Sequence, residues 1–99
     1  MQKMTAGRRK SKRNKLEIYA TILEVIRLGT DRITRISYGV GVPLDRLNVM
    51  ASDLCSFGLA RKMADDEGTR YSITPRGSEF LDTYWKMKGF LEIMGDGEY

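Results

Sequence analysis

A chain of 99 residues, 41% apolar and 30% charged, has room for one domain and buries only a modest share of its surface, so association with another copy is a natural source of further burial. No apolar run approaches the ~18 to 20 residues that cross a bilayer, and the basic first residues lack the apolar segment of a secretory signal, so an intracellular, cytoplasmic location is expected. One cysteine and no histidine exclude an internal disulfide and a thiolate metal cluster, and remove the commonest metal ligand and general base. No metal, cofactor or small-molecule substrate is expected.

The charge is uneven. Residues 1–15 carry Lys3, Arg8, Arg9, Lys10, Lys12, Arg13 and Lys15 with no acid, giving +7; the remaining ten basic residues face thirteen acids, giving −3 and the total of +4. A run so poor in apolar residues does not fold alone, so residues 1–14 are expected to form a flexible basic arm. The arm is either a solubilising leader or a binder of polyanions, nucleic acid first among them.

Beyond it, Leu16, Tyr19, Ile22, Leu23 and Ile26 recur at spacings of three and four, which predicts a first helix closed by Gly29. "TDRITRISYG" predicts a short second helix, capped by Thr30 or Asp31, with Ile33 and Ile36 inward and Arg32 and Arg35 together on an outer face. "GVGVP" supplies a turn, and Pro43 suits the first turn of a third helix. In that helix Leu44, Leu47, Met50, Ala51, Leu54 and Phe57 are predicted inward, while Arg46, Asn48, Val49 and Ser52 point away. "LARKMA" and "TRYSIT" predict two strands joined by "DDEG", the second with Tyr71 and Ile73 on one side. Thr74 as N-cap and Pro75 as first helical residue open the last helix. The expected fold class is mainly α with a β-hairpin wing: a winged helix-turn-helix domain over residues 15–74, then a long C-terminal helix over 75–95.

Within "TPRGSEFLDTYWKMKGFLEIM", Phe80, Tyr84, Met87, Leu91 and Met94 follow at intervals of four, three, four and three. This heptad-like seam predicts dimerisation through the C-terminal helices, with Leu81 and Trp85 sealing the start of the helix against the body. A single amphipathic core helix is the simpler alternative. Cys55 is expected to be a small buried residue, "GVG" lacks the strand and third glycine of a dinucleotide-binding turn, and Asp65 and Asp66 sit in an open turn, so no enzyme is expected.

Three stretches, "SKRNKLEIYATILEVI", "DRITRISYGVGVPLDRLNVMASDLCSFGLARK" and "GTRYSITPRGSEFLDTY", together resemble small archaeal winged-helix DNA-binding proteins, both chromatin-like and regulatory. The resemblance covers nearly the whole chain. It implies a homodimer held by an antiparallel coiled coil of C-terminal helices, with the third helix and wing facing double-stranded DNA and a nucleoid-associated location. In those terms Arg46, Asn48 and Val49 look like groove-facing residues, Ser52 belongs to the same face, and Arg70 in the wing looks like a backbone contact. The chain departs from that pattern at the wing tip, where Asp65, Asp66 and Glu67 stand where lysine or arginine would favour phosphate.

The arm residues Arg8, Arg9, Lys10, Lys12, Arg13 and Lys15, with Arg32, Arg35 and Arg70, are therefore expected to contact phosphate. Arg46 is suited to read guanine and Asn48 adenine, although both are also ordinary surface residues. Asp45 and Asp53 repel phosphate and limit the contact surface. The expected function is a dimeric DNA-binding transcription regulator or architectural chromatin protein; a winged-helix protein–protein interaction module of a transcription or replication assembly is the alternative, kept open by the acidic wing.

Overall fold

A computed structural model describes residues 14–95 as helices α1 (Lys15–Arg27), α2 (Ile33–Val40) and α3 (Leu44–Ser56), strands β1 (Ala60–Asp65) and β2 (Gly68–Ile73), and helix α4 (Pro75–Gly95). This is the winged helix-turn-helix order, mostly helical, with a long last helix. None of the described helices is long and apolar enough to cross a membrane.

The helix ends follow from local chemistry. The Asn14 side chain accepts from the Glu17 amide at 2.7 Å and caps α1. At its other end Gly29 takes φ 114°, and the Gly29 and Thr30 amides donate to the carbonyls of Ile26 and Val25. Helix α3 closes in the same way through Gly58, at φ 81°. Neither Thr30 nor Asp31 caps α2. Its N-cap is Arg32, without a side-chain bond, because the Asp31 carboxylate is engaged by Arg70 and its carbonyl accepts from the Tyr71 amide at 2.8 Å.

The core gathers Ile22 and Leu23 of α1, Ile36 of α2, Leu47 and Leu54 of α3, and Leu81 of α4, all fully buried. Each such side chain contributes roughly 1.5 to 3 kcal/mol by leaving water. Helix α1 is the hub. It packs on α2, α3, β2 and α4, and its buried surface therefore extends to Ile18 and Ala20, while Leu16, second residue of the helix at its open end, remains half exposed. Leu44 and Phe57, predicted inward, sit at the two ends of α3 where the core no longer covers them, and both are exposed.

β1 and β2 pair antiparallel from Ala60–Ile73 to Asp65–Gly68. An isolated antiparallel bridge between Arg32 and Arg70 sets the segment before α2 on the other edge of β2. The hairpin is thereby joined to the helical body.

One junction unites the exit of α3, the start of β1 and the start of α4. The Thr74 hydroxyl donates to the Gly58 carbonyl at 2.7 Å and accepts from the Gly77 amide at 2.9 Å, while the Thr74 amide donates to the Leu59 carbonyl at 3.1 Å. Thr74 is thus the expected N-cap, and it also holds the hairpin. Gly77 passes so close to Leu59 that an added Cβ would strike its carbonyl group and come within 2.9 Å of Ile73 Cγ1.

The first half of α4 is fixed to α1. Leu81 is buried, Trp85 Nε1 donates to Glu24 at 3.2 Å, Arg27 meets Asp82 at 2.8 Å, and Lys88 meets Glu17 at 3.6 Å. With 21 residues α4 is about 30 Å long, and the molecule measures 52 Å along its longest axis against 27 and 21 Å across, so the far half of α4 overhangs.

Candidate nucleic-acid interface

Helix α3 buries Leu47, Met50, Ala51 and Leu54 and turns Asp45, Arg46, Asn48, Val49 and Ser52 to solvent. Val49 is 62% exposed at the centre of this outward face. Among the described residues, neither the Arg46 guanidinium nor the Asn48 amide has a hydrogen-bond or ion-pair partner, so their donors are available to a ligand.

Two rows flank that face. Arg46, Asp53 and Phe57 line the side toward α1, where Tyr19 donates its hydroxyl to Asp53 at 2.6 Å and sets its ring edge-on to Phe57 at 5.8 Å. Burial and the Asp53 carboxylate push the Tyr19 phenol up to about 12, so it remains a donor across the physiological range. The Lys15 ammonium lies over the Tyr19 ring at 5.9 Å, which places the root of the basic segment on this same side of α3. Asn48, Ser52 and Cys55 form the row toward the hairpin. Burial raises the Cys55 thiol, and the positive charge of Lys62 acts against that shift.

The other expected phosphate contacts are arranged differently. Arg35 is exposed on α2, but Arg32 does not share its face. Arg32 turns to the hairpin and grips Asp65 with both terminal nitrogens, at 2.9 and 3.2 Å, and Glu67 at 2.8 Å. Arg70 meets Asp31 at 3.0 and 3.2 Å and Asp65 at 3.4 Å. The two arginines hold the Asp65 carboxylate down to about 2, with the Arg32 hydrogen bonds as the largest cause. Hence the acidic turn and the arginines predicted to bind phosphate satisfy one another. Arg8, Arg9, Lys10, Lys12 and Arg13 lie outside the described residues.

The seam expected on α4 divides in two. Phe80 and Tyr84 are half-buried and pack against the domain's own core, their rings 6.1 Å apart. Beyond them Met87, Leu91 and Met94 are exposed, together with Phe90 and Ile93, the last at 75%. The apolar surface of the overhang is thus wider than a two-position seam. Near its root a shallow groove of about 400 Å³ is lined by Phe57, Leu59, Arg76, Glu79, Phe80 and Thr83.

A family model described as winged helix-turn-helix matches residues 12–92. The chain belongs to the winged helix-turn-helix family. Among curated proteins none matches it. A transcriptional regulator of the MarR family from Silicibacter pomeroyi is similar in structure, with a TM-score of 0.67 at 22% identity over 83% of this chain and 58% of the regulator. Sso10a-2, a DNA-binding protein from Sulfolobus solfataricus, is similar with a TM-score of 0.67 at 22% identity, over 85% of this chain and 90% of that one. Streptococcus pneumoniae FabT, solved in complex with DNA, is similar with a TM-score of 0.62 at 16% identity, over 82% of this chain and 60% of FabT. At these identities the likeness is one of fold, and the chain spans little more than half the length of the Silicibacter pomeroyi regulator.

In the winged-helix fold α3 occupies the position of the recognition helix and the hairpin that of the wing. The sequence pattern identified the outward residues of α3 but gave no place to Lys62 or Phe90. The three acids at the wing tip are the feature of the sequence that calls for compensating bases, although nothing local to Arg32 marks it as one of them.

Proposed function

We propose that the chain is a dimeric DNA-binding protein, a transcription regulator or an architectural chromatin protein, that sets α3 in the major groove. The observation that carries this reading is the outward face of α3, where Arg46, Asn48, Val49 and Ser52 are exposed and Arg46 and Asn48 are free to pair among the described residues. Arginine matches the two acceptors of guanine, and asparagine the donor and acceptor of adenine. Residues 1–14 act as an arm supplying sequence-independent attraction, residues 15–74 as the DNA-binding domain, and residues 75–95 as the dimerisation helix. The solved complex of FabT with DNA and the DNA-binding description of Sso10a-2 support this reading by fold.

Dimerisation is supported by the overhang of α4. Met87, Phe90, Leu91, Ile93 and Met94 lie in water in a single copy, and a second copy gives each of them up to roughly 1.5 to 3 kcal/mol of burial. Two recognition helices on one dimer bind two half-sites with an effective concentration neither has alone.

Titration onto random duplex DNA at two salt concentrations, with competition by fragments of the source genome, tests the reading. A few fragments bound far more tightly than the rest identify a regulator; uniform, steeply salt-dependent binding identifies an architectural protein. Removing residues 1–13 is expected to weaken binding to all sequences alike. An absence of binding at any salt favours the second reading, a protein interaction module, for which the exposed acids Asp66 and Glu67 at the wing tip are the supporting feature.

A further inference from the structure

Winged-helix proteins use a hairpin beside the recognition helix, and in this chain the hairpin's most evident bases are already taken. Arg32 presents both terminal nitrogens to one carboxylate, the geometry with which a guanidinium otherwise grips a phosphate, and Arg70 is divided between Asp31 and Asp65. Drawing either onto DNA requires breaking charge-assisted bonds within the wing. A wing with bound arginines and three acids at its tip has little attraction for phosphate there.

Two bases on the wing have no ion-pair partner among the described residues, Arg61 and Lys62. They are adjacent in β1 and therefore point to opposite faces of the hairpin. The register pairs Lys62 with Tyr71, whose ring is buried in the core, so Lys62 leaves the strand on the side that faces the helices. Lys62 is exposed there, on the strand that packs against α3. Arg61 is paired with Ser72 on the other face, with Met63 and Arg70.

Cations thus bracket the recognition helix. Arg46 and Lys15 stand on the α1 side and Lys62 on the hairpin side, with Val49 between them. A helix lying in a major groove about 12 Å wide has one phosphate backbone along each flank. We infer that Lys62 is the phosphate contact on the hairpin side of α3, a part played by the stem of the wing instead of its tip, with Arg32 and Arg70 serving to hold the wing in place. The inference rests on the DNA-binding reading above.

The full chain is titrated onto a labelled random duplex over 50 to 200 mM salt, unaltered and as Lys62→Ala, Lys62→Arg and Arg61→Ala. Removal of one phosphate contact makes the slope of log affinity against log salt shallower by about 0.9, which reduces the loss of affinity across that range by about threefold. Lys62→Ala is expected to show this change, Lys62→Arg to restore the original slope, and Arg61→Ala, which removes the same charge from the other face, to move the slope less than half as far. Both positions are exposed, and circular dichroism checks that each variant keeps its fold. An unchanged slope in Lys62→Ala, or an equal change in Arg61→Ala, overturns this inference while leaving DNA binding in place. Absence of binding by the unaltered chain overturns the DNA reading and this inference with it.

Discussion

Arg32 and Arg70 stand opposite one another as an antiparallel pair, and both guanidinium groups reach the same carboxylate, that of Asp65. Like charges facing across a sheet repel. Here Asp65, with Asp31 and Glu67 beside it, turns that repulsion into a closed network that fixes the wing to the segment before α2.

The network makes the wing sensitive to acid. Asp65 has a folded pKa of about 2, below its ordinary value of 3.8, and Asp31 is lowered as well, by its hydrogen bonds to Arg70. A depressed carboxylate contributes stability that is present in full above its unfolded pKa and lost as pH falls through the folded value. The melting temperature of the unaltered chain is expected to fall between about pH 4 and pH 2 more steeply than that of Asp65→Asn, which starts lower and lacks this titration. Parallel curves for the two proteins in thermal melts across that window refute the role of Asp65.

Two glycines of α4 are expected to respond in opposite directions to the same substitution. Gly77→Ala puts a methyl group against the Leu59 carbonyl, which is held in place by the Thr74 amide, and is expected to cost about 3 kcal/mol in urea unfolding. An added Cβ at Gly89 meets nothing within 4 Å, so Gly89→Ala is expected to stabilise the helix by about 1 kcal/mol. A neutral Gly77→Ala indicates that the junction can shift.

Thr74 serves two partners with one hydroxyl. Thr74→Val keeps the volume but removes both the cap on the Gly77 amide and the bond to the Gly58 carbonyl, and a loss of about 1 to 2 kcal/mol is expected. Hydrogen exchange should show the loss at the start of α4 and at the α3 exit together.

Leu91→Glu places a charge in the exposed apolar face of the overhang and is expected to give monomers by light scattering and a melting temperature that no longer depends on protein concentration. A dimer that survives this change shows that copies associate elsewhere, and the groove lined by Phe57 and Phe80 is then the next surface to alter.

What was legible in the sequence is local. The four helices, the hairpin, the Gly29 and Gly58 stops and the Thr74-Pro75 start each rest on signals within a few residues, and the structure carries all of them. The outward face of α3 followed from its period alone. What escaped depends on distant partners. Arg32 lies 33 residues from Asp65, so its outer-face pattern on α2 gave no sign that the wing would claim it. The proximity of Gly77 to Leu59 and the packing of Phe80 and Tyr84 on the core likewise arise only once the hairpin is laid against the helices.

The clamp between α1 and the near half of α4 has a mechanical consequence. Leu81, Trp85, Arg27 and Lys88 fix the angle at which α4 leaves the body, so this helix behaves as a rigid strut with α3 carried at its base. In a dimer joined at the far ends of two such struts, the protein itself dictates the distance and the helical phase between the two recognition helices. A substitution such as Trp85→Ala, remote from any base pair, would then act as a change of ruler: it would alter the half-site spacing that fits best while leaving the preferred sequence of each half-site as it was.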